Sequence, residues 1–282
     1  MKAYPVTVLC AVMRVSRSGF YDYLKRDISE NNNGSTEAAL MNRIKEIFTE
    51  YRDSCGSRRM VKHLRDEGYE IGRYKLRRIM RQLGLIAKTP KRFKLTTDSK
   101  NSLPVAANVL DRKFDVESPN RVWTTDISYV WTFEGWLYLA VVMDLHSRQI
   151  VGWAMNERMK KQLVMDALAM AYWKRKPLKG LLHHSDRGSQ YACHDYQKQL
   201  MNYGMIPSMS RKGNCWDNAP TERFFRSLKS ERLTGLRFFT RNEAKNEILD
   251  YITFYNSIRL HSTLGYLSPM AYEKEHCLKK IA

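Results

Sequence analysis

Three acids and one base stand out as residues that could work together: Asp126, Asp186 and Glu222, with 35 residues between the last two, and Lys229 seven places after Glu222. Carboxylates brought together without a neutralising partner repel one another and lose hydration, so a cluster of three requires cations. Hard oxygen ligands with solvent in the remaining positions suit Mg²⁺, with Mn²⁺ as a substitute. Two such ions about 4 Å apart can activate an attacking oxygen and stabilise a leaving one in a phosphodiester displacement. Asp126 would then bridge both ions, with Asp186 and Glu222 holding one each. Lys229 lies two helical turns and roughly 10 Å past Glu222. That is too far for tight pairing with the acid, but it suits a grip on a phosphate or base beside the reacting end.

The chain must supply elements that bring these residues together. Val122–Tyr129 reads as a strand with Asp126 in its middle, and the apolar run Leu181-Leu182-His183-His184 delivers Asp186 at a strand's C-terminal end. Asp217-Asn218-Ala219-Pro220 combines an N-cap candidate with a first-turn proline, opening a helix that carries Glu222 above an apolar stripe of Phe224, Phe225 and Leu228. Strands are also expected at 121–131, 136–145 and 149–155, joined by links short enough for antiparallel hairpins. Helices follow at Leu163–Trp173, 194–203 and 241–261, with a last short strand at Ile206–Met209. This order suits a ribonuclease-H-like fold of α/β class, in which a right-handed crossover sets the fourth strand beside the first and makes Asp126 and Asp186 neighbours.

The acids, their spacing and the basic residue after Glu222 match the D, D-35-E, K/R pattern of retroviral-integrase-like transposases. With Val15-Ser16-Arg17-Ser18-Gly19-Phe20-Tyr21 and the C-terminal Tyr255-Asn256, Arg259, His261-Ser262, Leu264-Gly265-Tyr266 and Ser268-Pro269, the chain resembles the second reading frame, OrfB, of IS3-family insertion-sequence transposases over essentially its whole length. The resemblance implies a retroviral integrase-type mixed five-stranded sheet at 118–275, closed by a C-terminal helix. It implies Mg²⁺-dependent cleavage of element ends and transfer of the freed 3′ hydroxyl into target DNA, through a circular intermediate. Its implied partners are the element's terminal repeats, target DNA, further copies of the chain on DNA, and the upstream-frame OrfA product or a fusion with it. Two other readings are a nuclease of the same fold that cuts without joining, and a DNA-binding regulator with an inactive core. The three intact acids speak against the regulator.

Composition points the same way. The 48 Lys and Arg outnumber 29 Asp and Glu, and the +19 excess calls for a polyanionic partner. Up to Lys113 there are 24 basic against 12 acidic residues, which places most of the electrostatic grip towards the N-terminus. Residues 1–30 suggest a short helix-turn-helix-like segment, followed by a flexible link at Asn31–Ser35. Residues 36–86 suggest a helix-turn-helix DNA-binding domain. In its third helix Leu76, Ile79, Met80 and Leu83 face inward, while Arg73, Lys75, Arg77, Arg78 and Arg81 face outward as DNA contacts. Residues 87–117 read as a basic linker that follows a phosphate backbone. Arg211 and Lys212, in a glycine-broken loop before the Glu222 helix, and Arg259 complete the expected DNA-contact set. Trp216 beside that loop suits either stacking on an unpaired base or plain packing.

Asp144 is a rival acid, in a turn where it could cap backbone amides or pair with Arg148. His183, His184 and His261 could carry protons, although the first pair better suits strand packing and hydrogen bonding behind the acids. The five cysteines are far apart and contain no Cys-x-x-Cys pair, so neither a zinc site nor a disulfide framework is expected. No apolar run reaches the length of a membrane span, and no signal-peptide pattern opens the chain. The expected location is the bacterial cytoplasm, on the nucleoid.

Overall fold

A computed structural model describes residues 5–88 and 105–281, apart from the side chains of 24–36, 215, 280 and 281. The chain divides into two compact units, Met1–Ala87 and Lys88–Ala282. Among the described residues, no helix is long and apolar enough to cross a membrane.

The first unit is helical. α1 (Val6–Val12) gives way to a turn with Arg14 at φ 52°, and Ser16 then caps α2 (Arg17–Glu50) by accepting the Gly19 N–H at 3.0 Å. The link expected at Asn31–Ser35 is instead part of α2. No proline interrupts Arg17–Glu50, and Asn or Gly costs a helix only about 1 kcal/mol or less per position relative to Ala. The C-terminal end of α2 more than offsets that cost by burying Leu40, Ile44, Ile47 and Phe48. α3 (Ser57–Asp66) and α4 (Arg73–Gln82) complete the unit, with Met60, Leu64, Leu76 and Ile79 wholly buried. Arg43 on α2 forks onto Glu67 after α3 at 2.8 and 2.6 Å. Tyr51 and His63 share a 2.6 Å hydrogen bond.

The second unit is built on a five-stranded sheet of order β3-β2-β1-β4-β5. β1 (Val122–Thr132), β2 (Gly135–Asp144) and β3 (Ile150–Asn156) are antiparallel, while β4 (Leu182–Ser185) and β5 (Ile206–Met209) extend the sheet in parallel from β1. This is the mixed, ribonuclease-H-like sheet expected from the element order. α5 (Lys161–Arg175) packs Leu163, Ala167, Leu168 and Ala171 against Ala140, Val142 and Val151. The approach is close because β3 carries Gly152, where a Cβ would stand 2.4 Å from the Ala167 carbonyl oxygen. α6 (Ser189–Ala192) and α7 (His194–Asn202) link β4 to β5. After α8 (Ala219–Leu228), the helix α9 (Arg241–Ser257) is tied to the start of β3 by Asn256, whose amide bonds both the N–H and the C=O of Ile150 at 2.9 Å. α10 (Pro269–Ile281) closes the chain.

Two sequence expectations change here. Residues 89–104 of the expected linker lie outside the described residues, while 105–117 pack on the second unit rather than running free. Leu110 is buried, and the N–H groups of Val109 and Leu110 donate to Ser208 Oγ at 3.0 and 3.2 Å. An apolar pair beside a buried hydroxyl gives this stretch a better partner than water. Asp144 does cap backbone amides, accepting from Asn120 at 2.7 Å and His146 at 3.0 Å, but its cation is Arg175, at 3.5 Å, and not Arg148. Arg148 donates to the Phe114 carbonyl instead. A fully buried carboxylate bound in this way is structural, and burial raises its carboxyl above the ordinary range.

Candidate active site and nucleic-acid interface

β1 and β4 run in register through Thr124 and His184, and the strands then part. Asp126 and Asp186 are each two residues beyond that pair. They therefore emerge side by side where the sheet splits, the position at which parallel strands expose their C-terminal ends to a ligand. Asp126 Oδ1 accepts the Ile127 N–H at 2.8 Å, and Asp186 Oδ1 accepts the Gly188 N–H at 2.9 Å.

Glu222 comes from the first turn of α8, and two polar struts hold that turn against β1. Thr124 and Thr221, both wholly buried, share a 2.6 Å hydroxyl–hydroxyl hydrogen bond, and the Asn218 amide donates to the Thr125 carbonyl at 3.0 Å. Phe224, Phe225 and Leu228 fill the core on the helix's other side, as the apolar stripe requires. Glu222 itself stays exposed at the rim.

The electrostatics are those of crowded like charges. Desolvation raises the Asp126 carboxyl well above the ordinary range; the charges of Asp186 and Glu222 add to the rise, and the Ile127 N–H and Lys229 oppose it. Asp186 is raised by desolvation against the Gly188 N–H, and Glu222 by desolvation and then by Asp186. Lys229 ends α8 and begins a π-helical turn, Lys229–Leu233, with its ammonium 5.3 Å from the Tyr129 ring centroid. Burial lowers its pKa, and the Asp126 charge works in the other direction. It is a half-buried neighbour of the acids, not a solvated surface lysine.

Oxygen donors of this kind suit a hard divalent cation. Among the described residues, however, no group of three or more His, Cys, Asp and Glu forms a closed set of metal ligands. The three acids are thus electrostatic neighbours that fall short of a finished cage.

The other expected residues divide into two groups. Arg73, Lys75, Arg77 and Arg78 all lie exposed on α4, with Leu76, Ile79 and Met80 buried behind them, and Lys212 is exposed in its loop. Arg211 is partly committed, its guanidinium meeting Asp217 at 3.0 and 2.8 Å. Arg259 departs from expectation: it is 6% exposed and forks onto buried Glu231 at 2.7 Å twice, with Ser227 and His261 beside it. Glu231, buried in the π-helical turn, needs a paired cation, so Arg259 serves the fold and does not reach DNA. His183 and His184 are buried and bonded to Tyr196 and to Ser208 and Ser210; burial lowers them to about 3 and about 4, which leaves both neutral.

Sequence reasoning missed the work of Asp217. Asn218 is the residue at the N-cap of α8, and Asp217 before it is a wholly buried anchor, accepting from Arg211, Arg112 and Asn108, with the guanidinium of Arg211 foremost in holding its carboxyl well below the usual range. One acid thereby joins the basic loop, the 105–117 stretch and the entrance to α8. Its only sequence signal was an acid next to Asn218 in an otherwise basic stretch.

A carboxyl whose pKa is higher in the folded than in the unfolded state penalises folding once it ionises, so stability falls as pH rises above the ordinary carboxylate range. In metal-free buffer, Asp126→Asn should therefore melt above the parent at pH 8. The gap should shrink as the pH falls towards about 5, as followed by thermal unfolding at each pH.

Two stretches, 116–215 and 222–276, match the family described as "Integrase core domain", and 35–93 match the "HTH-like domain". The insertion element IS600 uncharacterized 31 kDa protein of Shigella sonnei is 44% identical over 269 residues, covering 95% of this chain and 98% of that protein. Transposase InsF for insertion sequence IS3A of Escherichia coli (strain K12) is 39% identical over 274 residues, covering 97% and 95%. Among solved structures, the HTLV-2 integrase catalytic core domain in complex with magnesium (trimeric form) aligns at TM-score 0.45 and 15% identity, over 55% of this chain and 97% of that one. Relatives this similar, aligned along nearly the whole of both chains, place the chain in the insertion-sequence IS3 family of transposases.

Proposed function

We propose that the chain is a DNA transposase that cleaves the ends of its insertion element and joins the freed 3′ hydroxyl to target DNA. The observation that carries this reading is the crowding of Asp126, Asp186 and Glu222 at the split in the sheet, in a chain of this family. Three carboxylates raised by desolvation, with like charge adding to the rise at Asp126 and Glu222, are poorly stabilised by the protein alone, and a divalent cation would supply the missing positive charge. Asp126, Asp186 and Glu222 would hold Mg²⁺, with the α8 carboxylate moving inward to complete the set. When bound, Mg²⁺ supplies Lewis-acid stabilisation of charge on the phosphate oxygens.

The chain's own residues do the rest. Thr124, Thr221 and Asn218 fix the first turn of α8 against β1 and so set where Glu222 can travel. Lys229, beside Asp126, offers its ammonium to the phosphate next to the reacting one. Lys212, and Arg211 to the extent that Asp217 leaves it free, would meet DNA from the loop before the Glu222 helix, while the exposed cations of α4 would grip DNA by phosphate contact. Binding to the element's terminal repeats, assembly of several copies on DNA and cooperation with an upstream-frame product belong to the same proposal.

Replacing one ligand by its neutral isostere removes metal ligation while leaving the basic contacts in place. Asp126→Asn, Asp186→Asn and Glu222→Gln should each lower strand transfer by roughly a thousandfold or more, the kinetic equivalent of several kcal/mol of lost charge stabilisation. Binding to element-end DNA should stay near the parent's in a gel-shift assay. Near-normal joining by any one variant removes that acid from the ligand set, and cleavage without joined products in the parent would leave a nuclease. Neutralising Arg73, Lys75, Arg77 and Arg78 together should flatten the dependence of log K on log salt by about three to four, read from affinities across a salt series.

A further inference from the structure

The β1–β2 hairpin carries a row of aromatic rings that the reaction described above does not use. Antiparallel register places Tyr129 opposite Tyr138 and Trp131 opposite Trp136, on the face shared with Ala140 but further towards the hairpin tip. The rings touch in series. Trp131 and Trp136 meet edge to face with centroids 4.8 Å apart, Trp136 and Tyr129 at 5.0 Å, and Tyr129 and Tyr138 at 6.2 Å. Trp131 is 57% exposed and Trp136 42% exposed. Two tryptophans left in water beside two tyrosines form a contiguous patch, and a patch of that kind marks an interaction surface more often than chance.

The surroundings indicate what covers it. At one edge is Lys229, 5.3 Å from the Tyr129 centroid and within the field of Asp126; Asp126 itself, opposite Val141, points to the other face of the sheet, so Lys229 links the row to the acid cluster around the free edge of β1. At the other edge Tyr138 pairs with Asn156, and the chain leaves that strand end through exposed Glu157, Arg158 and Lys160, with Arg158 3.8 Å from the Glu157 carboxylate. Protein–protein interface cores are depleted of lysine. Exposed rings beside Lys229, with Lys160 beyond the far edge, suit nucleic acid, because every base has a face to stack and every nucleotide a phosphate to pair.

We propose that Tyr129, Trp131, Trp136 and Tyr138 form a stacking platform for unpaired nucleotides of the DNA strand that leaves the acid cluster, with Lys229 holding the phosphate between the two. This inference rests on the transposase reading and adds a substrate feature to it: an end whose terminal base pairs are opened. The rings recognise the opened strand without regard to base identity, since stacking has little sequence preference.

The test compares two labelled duplexes bearing the element's own end, one fully paired and one with its last few nucleotides unpaired. Affinities are read by fluorescence anisotropy in buffer without divalent cations. The parent should favour the unpaired end. Joint Trp131→Leu and Trp136→Leu should lose that preference by roughly tenfold or more for each base stacked, while affinity for the paired duplex holds. Joint Trp131→Phe and Trp136→Phe should keep most of it, which separates ring stacking from a general loss of packing. The inference is overturned if the parent shows no preference, if the leucine variant keeps it, or if that variant weakens on both duplexes alike. It is overturned in favour of a contact between copies if the leucine variant changes the oligomeric state of the DNA-free protein and keeps the preference. A parent that prefers the opened end but never joins DNA would leave the platform standing and remove the transposase reading. A parent that joins DNA with no such preference would do the reverse.

Discussion

The constraint on which the second unit depends is the repulsion among three carboxylates held at one place. Asp126, Asp186 and Glu222 come from two strands and a helix, and each is raised above its ordinary pKa by desolvation, with like charge adding to the effect on Asp126 and Glu222. Such a cluster opposes folding in the absence of cations, so the surrounding fold must hold it in place. The parallel pairing of β1 with β4 fixes the two aspartates through backbone hydrogen bonds that do not depend on side-chain charge. The helix bearing Glu222 has no such ladder. It is held instead by the Thr124–Thr221 hydroxyl pair, by Asn218 on the Thr125 carbonyl and by its apolar face in the core.

The buried charges around the site divide into pairs that serve the frame and acids left without a matching cation. Asp144 has Arg175 and backbone amides, Glu231 has Arg259, and Asp217 has Arg211 and Arg112. Glu231 and Asp217 each face an arginine fork, while Asp144 takes two backbone amides and an arginine it shares with Glu273, and burial still raises its carboxyl. At the end of the β1–β4 pairing, by contrast, three acids lie together with a single lysine, Lys229, acting on Asp126. Among the described residues, the contrast sets the acids that have an arginine partner apart from those that do not. Asp144 and Asp217 lie close to the cluster in the chain, and both are fully accounted for by their partners.

Much of this was legible in the sequence because it rests on local pattern. Alternating apolar residues marked β1 to β3, an apolar run ending in Asp186 marked β4, and the proline before Glu222 marked the start of α8; all appear within a residue or two of expectation. What could not be read depends on contacts between distant residues. Arg259 looked like a DNA contact because a lone arginine near the C-terminus carries no sign of Glu231 waiting 28 residues upstream. The anchoring role of Asp217 could not be read because Arg112 and Asn108, more than a hundred residues earlier, are invisible from its own neighbourhood. The Asn31–Ser35 stretch suggested a link on composition, whereas the helix through it is sustained by the burial of Leu40, Ile44 and Ile47 further on.

The central proposal is that Asp126, Asp186 and Glu222 hold a divalent cation. Thermal unfolding of the DNA-free protein during a titration with Mg²⁺ tests it most directly, because binding to the folded state alone raises the melting temperature by mass action. The account predicts a saturable rise at pH 7.5 that is lost in a variant carrying Asp126→Asn and Asp186→Asn together. A melting temperature that does not respond to Mg²⁺, or one that rises equally in the double variant, would contradict it.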